Sequence, residues 1–353
     1  MLQTINIQNF RGFKNLECKD LSRINLIVGK NNVGKTAFLE ALFLFFGRQN
    51  PGLVININGR RGIGAIKIGS SSNIESPWSS VFYNFNIANS IKILGSDENK
   101  SVELQISVNK SINTEDFINN FPEPDKILKI KNSNFLQALS FINSDEKEPY
   151  QILLTNQGMR INKIGVSEIP AFYIDSHSNL NPKERAELFT SIDTIGKTDE
   201  IIEVLRFIEP RLKRLSIGII ADEPIIMADI GAERLVPLPL LGDGTIRLFD
   251  ICIRIINLKN GALIIDEIEN GFHHSAQEKI WNTIGFSAQK YNVQIFASTH
   301  SLECVRNAYL ALSNLPDDVL RVHRIERVED NIRMKTYGPS KLETIFDLNL
   351  EVR

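Results

Sequence analysis

Residues 24–36, INLIVGKNNVGKT, decide the fold of this chain. The apolar run at 24–28 is typical of a buried parallel strand. Residues 29–36 then match the pattern G-x-x-x-x-G-K-[S/T], in which backbone amides and a helix N-terminus surround phosphate groups. The pattern predicts that Lys35 contacts phosphate and that the hydroxyl of Thr36 binds Mg²⁺.

A helix from Gly34 to about Phe46 should follow this loop. It is apolar nearly all round and too short to cross a bilayer, which indicates a buried core helix. The loop residues expected to bind the nucleotide beside Lys35 and Thr36 are Gly29, Asn31, Asn32, Val33 and Gly34.

Upstream of the loop, Leu2–Phe10 alternates apolar and polar residues, which predicts a strand. A turn at Arg11-Gly12 and a second strand through Cys18 should follow. Residues 48–110 contain the pieces VFYNFNI, SIKIL and VELQISV among Gly, Ser and Asn, and they predict an antiparallel β lobe.

Residues from about 111 to 234 are predicted to form a mixed and helical insertion. Residues 169–174 are a candidate core strand, and Pro182 opens a helical stretch to about Leu215, broken near Gly196. Strand and helix patterns then alternate to the end of the chain. We therefore expect an α/β fold with a mainly parallel core sheet, built from residues 1–47 and about 235–353 within a single head of residues 1–353.

Composition excludes several classes of protein. The 40 basic and 42 acidic residues give a net charge of −2, so a wholly basic nucleic-acid coat is excluded, although a local basic face is not. The three cysteines have no CxxC spacing, so neither a disulfide framework nor a zinc site is expected. We find no signal-peptide pattern and no apolar run of membrane-spanning length, and we expect a cytoplasmic protein with no membrane segment.

A second motif is the apolar strand 262–265 followed by Asp266 and Glu267. The first acid could hold Mg²⁺, and the second could orient and deprotonate a water molecule that attacks the γ-phosphate. One alternative is the solvated end of an ordinary strand. Another is a metal-dependent nuclease built from Asp266, Glu267 and Glu269, which would leave the phosphate loop without a role.

Two further segments allow both a functional and an ordinary interpretation. His300 follows the strand 293–297, where a sensor of the γ-phosphate would lie, but it could also be a loop histidine beside a helix cap. Gly242 and Gly244 open the helix 246–258 and offer a second anion-binding N-terminus. Because the first loop already surrounds the phosphates, this segment suggests a dimer that holds nucleotide between its subunits.

Five segments occur in an order that resembles the SMC/RecF/OLD group of ABC-type ATPases, and most closely the small stand-alone OLD-like "AAA family" ATPases of bacterial defence systems. The resemblance covers 1–47 and about 235–353. The segments are NFRGF at 9–13, GKNNVGKT at 29–36, LLGDGTIR at 240–247, LIIDEIENGFHHS at 263–275 and STHS at 298–301.

The resemblance implies an ATPase that uses ATP and Mg²⁺. Lys35 and Thr36 would bind phosphate and metal, Asp266 would be the Walker B acid and Glu267 the catalytic base. Gly242, Asp243 and Gly244 would form the signature loop that reaches the nucleotide of a partner subunit. His300 would be the switch histidine, and Arg11 would lie near the nucleotide.

The resemblance also implies a homodimer or higher oligomer that controls a partner effector, which we expect to be a nuclease acting on DNA or RNA in antiphage defence. Relatives that carry their own nuclease add a Toprim domain, for which these 353 residues leave no space, so the effector is expected in trans.

The chain departs from the family pattern in two places. Residues 239–241 replace the serine-containing start of the transporter signature LSGGQ, where Thr245 could compensate, and Asp175 or Ser176 stands where a Q-loop glutamine would be. These departures argue against a transporter ATPase subunit. A nucleotide-gated sensor or scaffold with little turnover remains the alternative.

Overall fold

The computed structural model describes residues 1–63, 76–109, 135–155, 158–176, 180–313, 315, 319–329 and 331–348. The chain forms two compact units, which are described separately. The first consists of Met1–Asp20, Asn32–Ile169 and Ile325–Lys335, and the second of Leu21–Asn31, Pro170–Arg324 and Thr336–Arg353.

An antiparallel sheet of seven described strands forms most of the first unit, in the order β2-β1-β4-β5-β6-β7-β8. The β1–β2 hairpin lies where the sequence predicts it, but the sheet continues to Ile161, past the predicted lobe boundary near 110. The strands are β1 Thr4–Phe10, β2 Phe13–Cys18, β4 Ile91–Ser96, β5 Ser101–Asn109, β6 Phe135–Asn143, β7 Tyr150–Thr155 and β8 Gly158–Ile161.

The prediction of a strand at VFYNFNI is wrong. This segment contains two 3₁₀ turns, Ser79–Val81 and Tyr83–Phe85. Asn84 and Phe85 have φ angles of 51° and 57°, and two consecutive left-handed residues prevent an extended backbone.

Helix α1, Lys35–Phe46, belongs to the first unit, and residues 37–46 are all buried, as its apolar sequence predicts. It packs on the antiparallel sheet, where a Cβ on Gly95 would lie 2.3 Å from the ring of Phe45. Helix α2, Leu53–Arg60, follows.

The second unit is built on a sheet in the order β16-β15-β3-β14-β13-β9. Neighbouring strands from β9 to β15 run parallel, and every residue of β3, β13 and β14 is buried, as expected for a sheet covered on both faces. This α/β architecture confirms the predicted fold class. The strands are β3 Ile24–Val28, β9 Ala171–Ile174, β13 Ala262–Ile265, β14 Gln294–Ser298, β15 Leu320–Val328 and β16 Asn331–Tyr337.

Helices flank this sheet, and among the described helices none is long and apolar enough to cross a lipid bilayer. Three of them begin at side-chain caps, α3 at Asn181, α6 at His273 and α7 at Ser301. The helices are α3 Pro182–Thr194, α4 Thr198–Leu205, α5 Asp243–Leu258, α6 His274–Lys290, α7 Leu302–Leu312 and α8 Pro339–Asp347.

The predicted helix to Leu215 is wrong beyond Leu205. Pro210 interrupts the helical pattern, and Arg214–Ile220 (β10) forms a hairpin with Glu223–Asp229 (β11), joined by Val236–Pro237 (β12). Leu215 and Ile226 are buried on one face of this hairpin, so period-two alternation overrides the apparent helical spacing.

Candidate functional site

The phosphate-binding pattern lies in the loop between β3 and α1. The boundary between the two units falls within it, after Asn31. Gly29 and Gly34 have φ angles of 146° and 113°, which favour glycine. A Cβ on Gly34 would lie 2.7 Å from the ring of Phe13, so both backbone conformation and space exclude a larger residue.

The start of α1 offers a positive site to an anion. Lys35 and Thr36 are the first two residues of the helix, and its N-cap is Gly34, which has no side chain to bond the first-turn amides. That turn has no acidic residue to offset the helix dipole. In the rest of the loop, Asn31 and Asn32 are exposed and Val33 is buried.

Asp266 leaves the carboxyl end of β13 beside Ser298, the last residue of β14. The Ser298 hydroxyl donates a hydrogen bond to Oδ1 of Asp266 and accepts one from the backbone amide of Glu267 at 2.8 Å. The amide of Asp266 donates to the carbonyl of Ile174 at 2.8 Å. Sequence reasoning gave Ser298 no separate role, whereas the structure shows it bonded to the two acids.

The chemistry of these oxygens suits Mg²⁺, which prefers carboxylate and hydroxyl ligands and retains several waters. The part of the chain that the structure describes holds no cluster of three or more histidine, cysteine or acidic residues placed to bind a metal. Asp266 is thus the residue of the second unit that would hold a magnesium ion, and the expected contribution of Thr36 stays a prediction.

Glu267 has a φ of 48°, in the left-handed region that glutamate rarely adopts. Such a conformation costs on the order of 1–3 kcal/mol and persists only where its surroundings impose it. Its Oε2 accepts a 2.8 Å hydrogen bond from the side-chain amide of Asn270, and its side chain is 35% exposed. The carboxylate is thus oriented and still open to a water molecule.

Arg247 of α5 fixes the backbone on which these acids lie. Its Nη2 donates to the carbonyl oxygens of Asp266 and Glu267, both at 2.8 Å, and its Nη1 donates to the carbonyl of Asp175 at 3.4 Å. Burial lowers the pKa of this guanidinium, and the neighbouring carboxylates oppose the change. Sequence reasoning gave Arg247 no role, because a single arginine within a helix leaves no periodic signal.

His300 follows β14 and is bonded to Glu269. Its backbone amide donates to Oε1 of Glu269 at 2.9 Å, and its Nδ1 lies 3.3 Å from the same oxygen. Nδ1 also lies 4.0 Å from Oε1 of Glu267. The structure therefore brings the predicted base and the predicted switch histidine together at one edge of the sheet.

The predicted signature loop lies at the start of α5. Gly242 has a φ of 103°, and it is exposed together with Asp243. Gly244 packs against Gly271, whose carbonyl oxygen would lie 2.3 Å from a Cβ at position 244. Thr245 is buried, and its hydroxyl donates to the carbonyl of Leu241, in the turn that precedes the helix.

Arg11 lies in the first unit and pairs with Glu40 of α1. Its Nε donates to Glu40 at 2.9 Å, and its Nη groups donate to the carbonyl of Ser80 and the side chain of Asn58. Arg61 also bonds to the buried Glu40, at 2.6 Å and 3.1 Å. These contacts orient α1, and the expected contact of Arg11 with nucleotide stays a prediction.

Comparison with known proteins identifies a family and a relative that both concern nucleotide-hydrolysing proteins. Residues 24–306 match the family described as "AAA domain, putative AbiEii toxin, Type IV TA system". The chain is 24% identical to an ATP/GTP phosphatase of Helicobacter pylori over 341 residues, which covers 86% of both proteins.

Two further similarities concern SMC and RecF proteins. A stretch of 45 residues is 44% identical to the DNA replication and repair protein RecF of Rickettsia conorii, covering 13% of this chain and 12% of RecF. A solved SMC head bound to the C-terminal winged-helix domain of ScpA superposes with a TM-score of 0.53 at 15% identity. That alignment covers 98% of this chain and 99% of the SMC head, and it supports the fold.

Proposed function

Because this chain belongs to the family described as "AAA domain, putative AbiEii toxin, Type IV TA system", and is an ATPase of the SMC/RecF type, we propose that two copies close around ATP and Mg²⁺. Closure and hydrolysis would control a partner effector. The partner we propose is a nuclease that acts on DNA or RNA in antiphage defence.

Each residue of the site has a proposed role in hydrolysis. Lys35 binds the β- and γ-phosphates, while Thr36 and Asp266 hold Mg²⁺, which neutralises charge that develops on the phosphates. Glu267 orients the attacking water and accepts its proton, and His300 contacts the γ-phosphate. The hydrogen bonds from Ser298 and Arg247 support this proposal, because they fix the two acids before nucleotide binds.

The proposal of a dimer rests on the exposed N-terminus of α5. Among the described residues, none beyond its chain neighbours comes within 4 Å of a Cβ built at Gly242, and Asp243 is exposed, so this helix N-terminus is open to another molecule. Gly244 is backed by Gly271, on the segment that follows Glu267. An open helix N-terminus suits the γ-phosphate of a nucleotide bound by a second copy.

The partner proposal rests on similarity. The family description names a toxin of a type IV toxin–antitoxin system, and the superposed SMC head is bound to a domain of another protein. Both features fit a head whose nucleotide state is transmitted to a separate effector.

Light scattering of the Glu267→Gln variant with and without Mg-ATP tests the dimer. This variant should bind ATP and hydrolyse it slowly, so the dimer should accumulate with twice the 39.9 kDa mass of one chain. Lys35→Ala is the matched control and should stay monomeric. A monomeric Glu267→Gln variant saturated with Mg-ATP would contradict the proposal.

The effector is tested in infected cells that carry this gene together with its neighbouring genes. Nuclease-dependent protection from phage should disappear with Lys35→Ala, because that variant cannot hold ATP. Equally strong protection in cells with the wild-type gene and in cells with the Lys35→Ala gene would exclude nucleotide control of the effector.

A further inference from the structure

Glu269 is a buried acid that the hydrolysis scheme leaves without a role. It lies on the segment after β13, and its side chain is only 9% exposed, whereas that of His300 is 51% exposed. Oε1 of Glu269 accepts a hydrogen bond from the backbone amide of His300 and lies 3.3 Å from the imidazole Nδ1 of the same residue. A largely buried carboxyl group thus lies against an exposed imidazole ring.

The short distance between Nδ1 of His300 and Oε1 of Glu269 favours one imidazole tautomer. A carboxylate oxygen only accepts hydrogen bonds, so a bond between these two atoms requires Nδ1 to carry the hydrogen. In the neutral ring, Nε2 then has the lone pair and is the nitrogen left to meet a ligand.

The second oxygen of Glu269 shows that this acid does more than cap a loop. Oε2 is buried and has no hydrogen-bond partner among the described residues, and the same holds for Nε of Arg247. Of the carboxylates that favour the charged form of Arg247, Glu269 has the largest effect. A loop cap needs only the bond to the backbone amide, and it would not require a charged side chain buried beside an arginine.

We propose that Glu269 is a positioning residue for hydrolysis: it holds His300 in one rotamer and one tautomer, with Nε2 directed to the nucleotide, while Arg247 balances its charge. The proposal rests on the role given above to His300. It also gives α5 a connection to the switch histidine, because Arg247 lies on the helix that begins at the signature loop.

The first test uses the wild-type protein labelled with ¹⁵N-histidine. The chain has five histidines, and comparison with the His300→Gln variant assigns the ring of His300. At a pH where this ring is neutral, the ¹⁵N shifts should show a protonated Nδ1 and an unprotonated Nε2. The opposite tautomer would overturn the proposal without any effect on folding.

The second test is a kinetic cycle. Glu269→Met keeps the volume and removes both acceptors, so kcat should fall about 10- to 100-fold, as expected when a reacting group is misplaced, while KM for ATP changes little. Glu269→Gln keeps one carbonyl acceptor and should restore most of the rate. In a His300→Ala background, Glu269→Met should cause no further loss.

The outcomes separate this inference from the proposed function. If His300→Ala lowers kcat but a folded Glu269→Met variant keeps the wild-type rate, the positioning role is excluded and the role of His300 stands. If His300→Ala itself keeps the wild-type rate, both assignments fail.

Discussion

The guanidinium of Arg247 donates a 2.8 Å hydrogen bond to the backbone carbonyl of Glu267. The first of these residues belongs to the helix that starts at the predicted signature loop, and the second is the proposed catalytic base. A movement of that helix would therefore act directly on a residue whose backbone is held at a φ of 48°. This bond offers a physical route between closure of the proposed dimer and hydrolysis.

Replacement of Arg247 should affect the chemical step more than binding. Arg247→Gln loses the bonds to the carbonyls of Asp266 and Glu267, and we expect kcat to fall about 10- to 100-fold with little change in the Kd for ATP. The bonds of a charged group contribute about 1.5–3 kcal/mol each, so the free energy of unfolding should also decrease. Steady-state kinetics and urea unfolding measure both effects.

Arg306→Gln is the control for that substitution, because Arg306 is exposed on α7. It should keep both the rate and the stability. A folded Arg247→Gln variant with wild-type kcat would show that the backbone of Glu267 holds its conformation unaided.

Gly244→Ala should separate the start of α5 from the segment at Gly271. The new Cβ would lie 2.3 Å from the carbonyl oxygen of Gly271, so the backbone must shift. Overpacking of this kind costs about 1–3 kcal/mol, which urea unfolding would show. Gly59→Ala is the control, since Gly59 lies in α2 and the part of the chain that the structure describes places no neighbour outside its own turn within 4 Å of a Cβ there; it should stabilise the protein by about 0.5–1 kcal/mol. Equal stability of the two variants would contradict the close contact.

The buried pair Arg185–Asp250 should be the most sensitive charge pair of the second unit. Its two bonds are 2.8 Å and 2.9 Å long, and both residues are at least nine-tenths buried. Asp250→Asn leaves a buried arginine charge and should lower the free energy of unfolding by about 3–5 kcal/mol. Glu148→Gln removes an exposed partner of Lys163 and should cost less than about 1 kcal/mol. A similar decrease in the free energy of unfolding in the two variants would contradict the greater sensitivity of the buried pair.

His323 should make stability depend on pH. It is fully buried between Asn25 and Thr336, and burial lowers its pKa to about 3. The folded state therefore binds fewer protons than the unfolded state between pH 3 and about 6.5, where stability rises with pH by up to about 1.4 kcal/mol per unit. This contribution is complete above pH 6.5 and is lost as the pH falls.

Urea unfolding from pH 4 to 7 checks the effect of His323. The slope of stability against pH should be smaller for His323→Gln, and it should be unchanged for His274→Gln, because His274 is exposed. Identical slopes in wild type and His323→Gln would contradict the assignment.

The sequence predicts the strands and helices of this fold best where the pattern of apolar residues fits only one of the two. The strands β3, β13 and β14 are short apolar runs bounded by motif residues, and the structure places each where it is expected. The hairpin at 214–229 was missed because its isoleucines and leucines also fit helical spacing. Only packing of one hairpin face into the core distinguishes the two patterns.

For the candidate site as well, the sequence predicts only some of the residues. Motif spacing identifies Asp266, Glu267 and His300, because their residue types recur at fixed distances from strand ends. It does not identify Arg247 as a support, because that arginine acts on backbone carbonyl groups, which every residue has. The hydrogen bond from the backbone amide of His300 to Glu269 joins segments 31 residues apart and depends on the neighbouring positions of β13 and β14.

The role of Glu267 as catalytic base is tested most directly by ATP turnover of wild type and Glu267→Gln at saturating Mg-ATP, with ATP binding measured in parallel. The variant should bind ATP as wild type does and hydrolyse it at least about 100-fold more slowly, since it lacks the base. Equally slow turnover by both proteins would contradict this role and would leave a nucleotide-gated scaffold as the function of this chain.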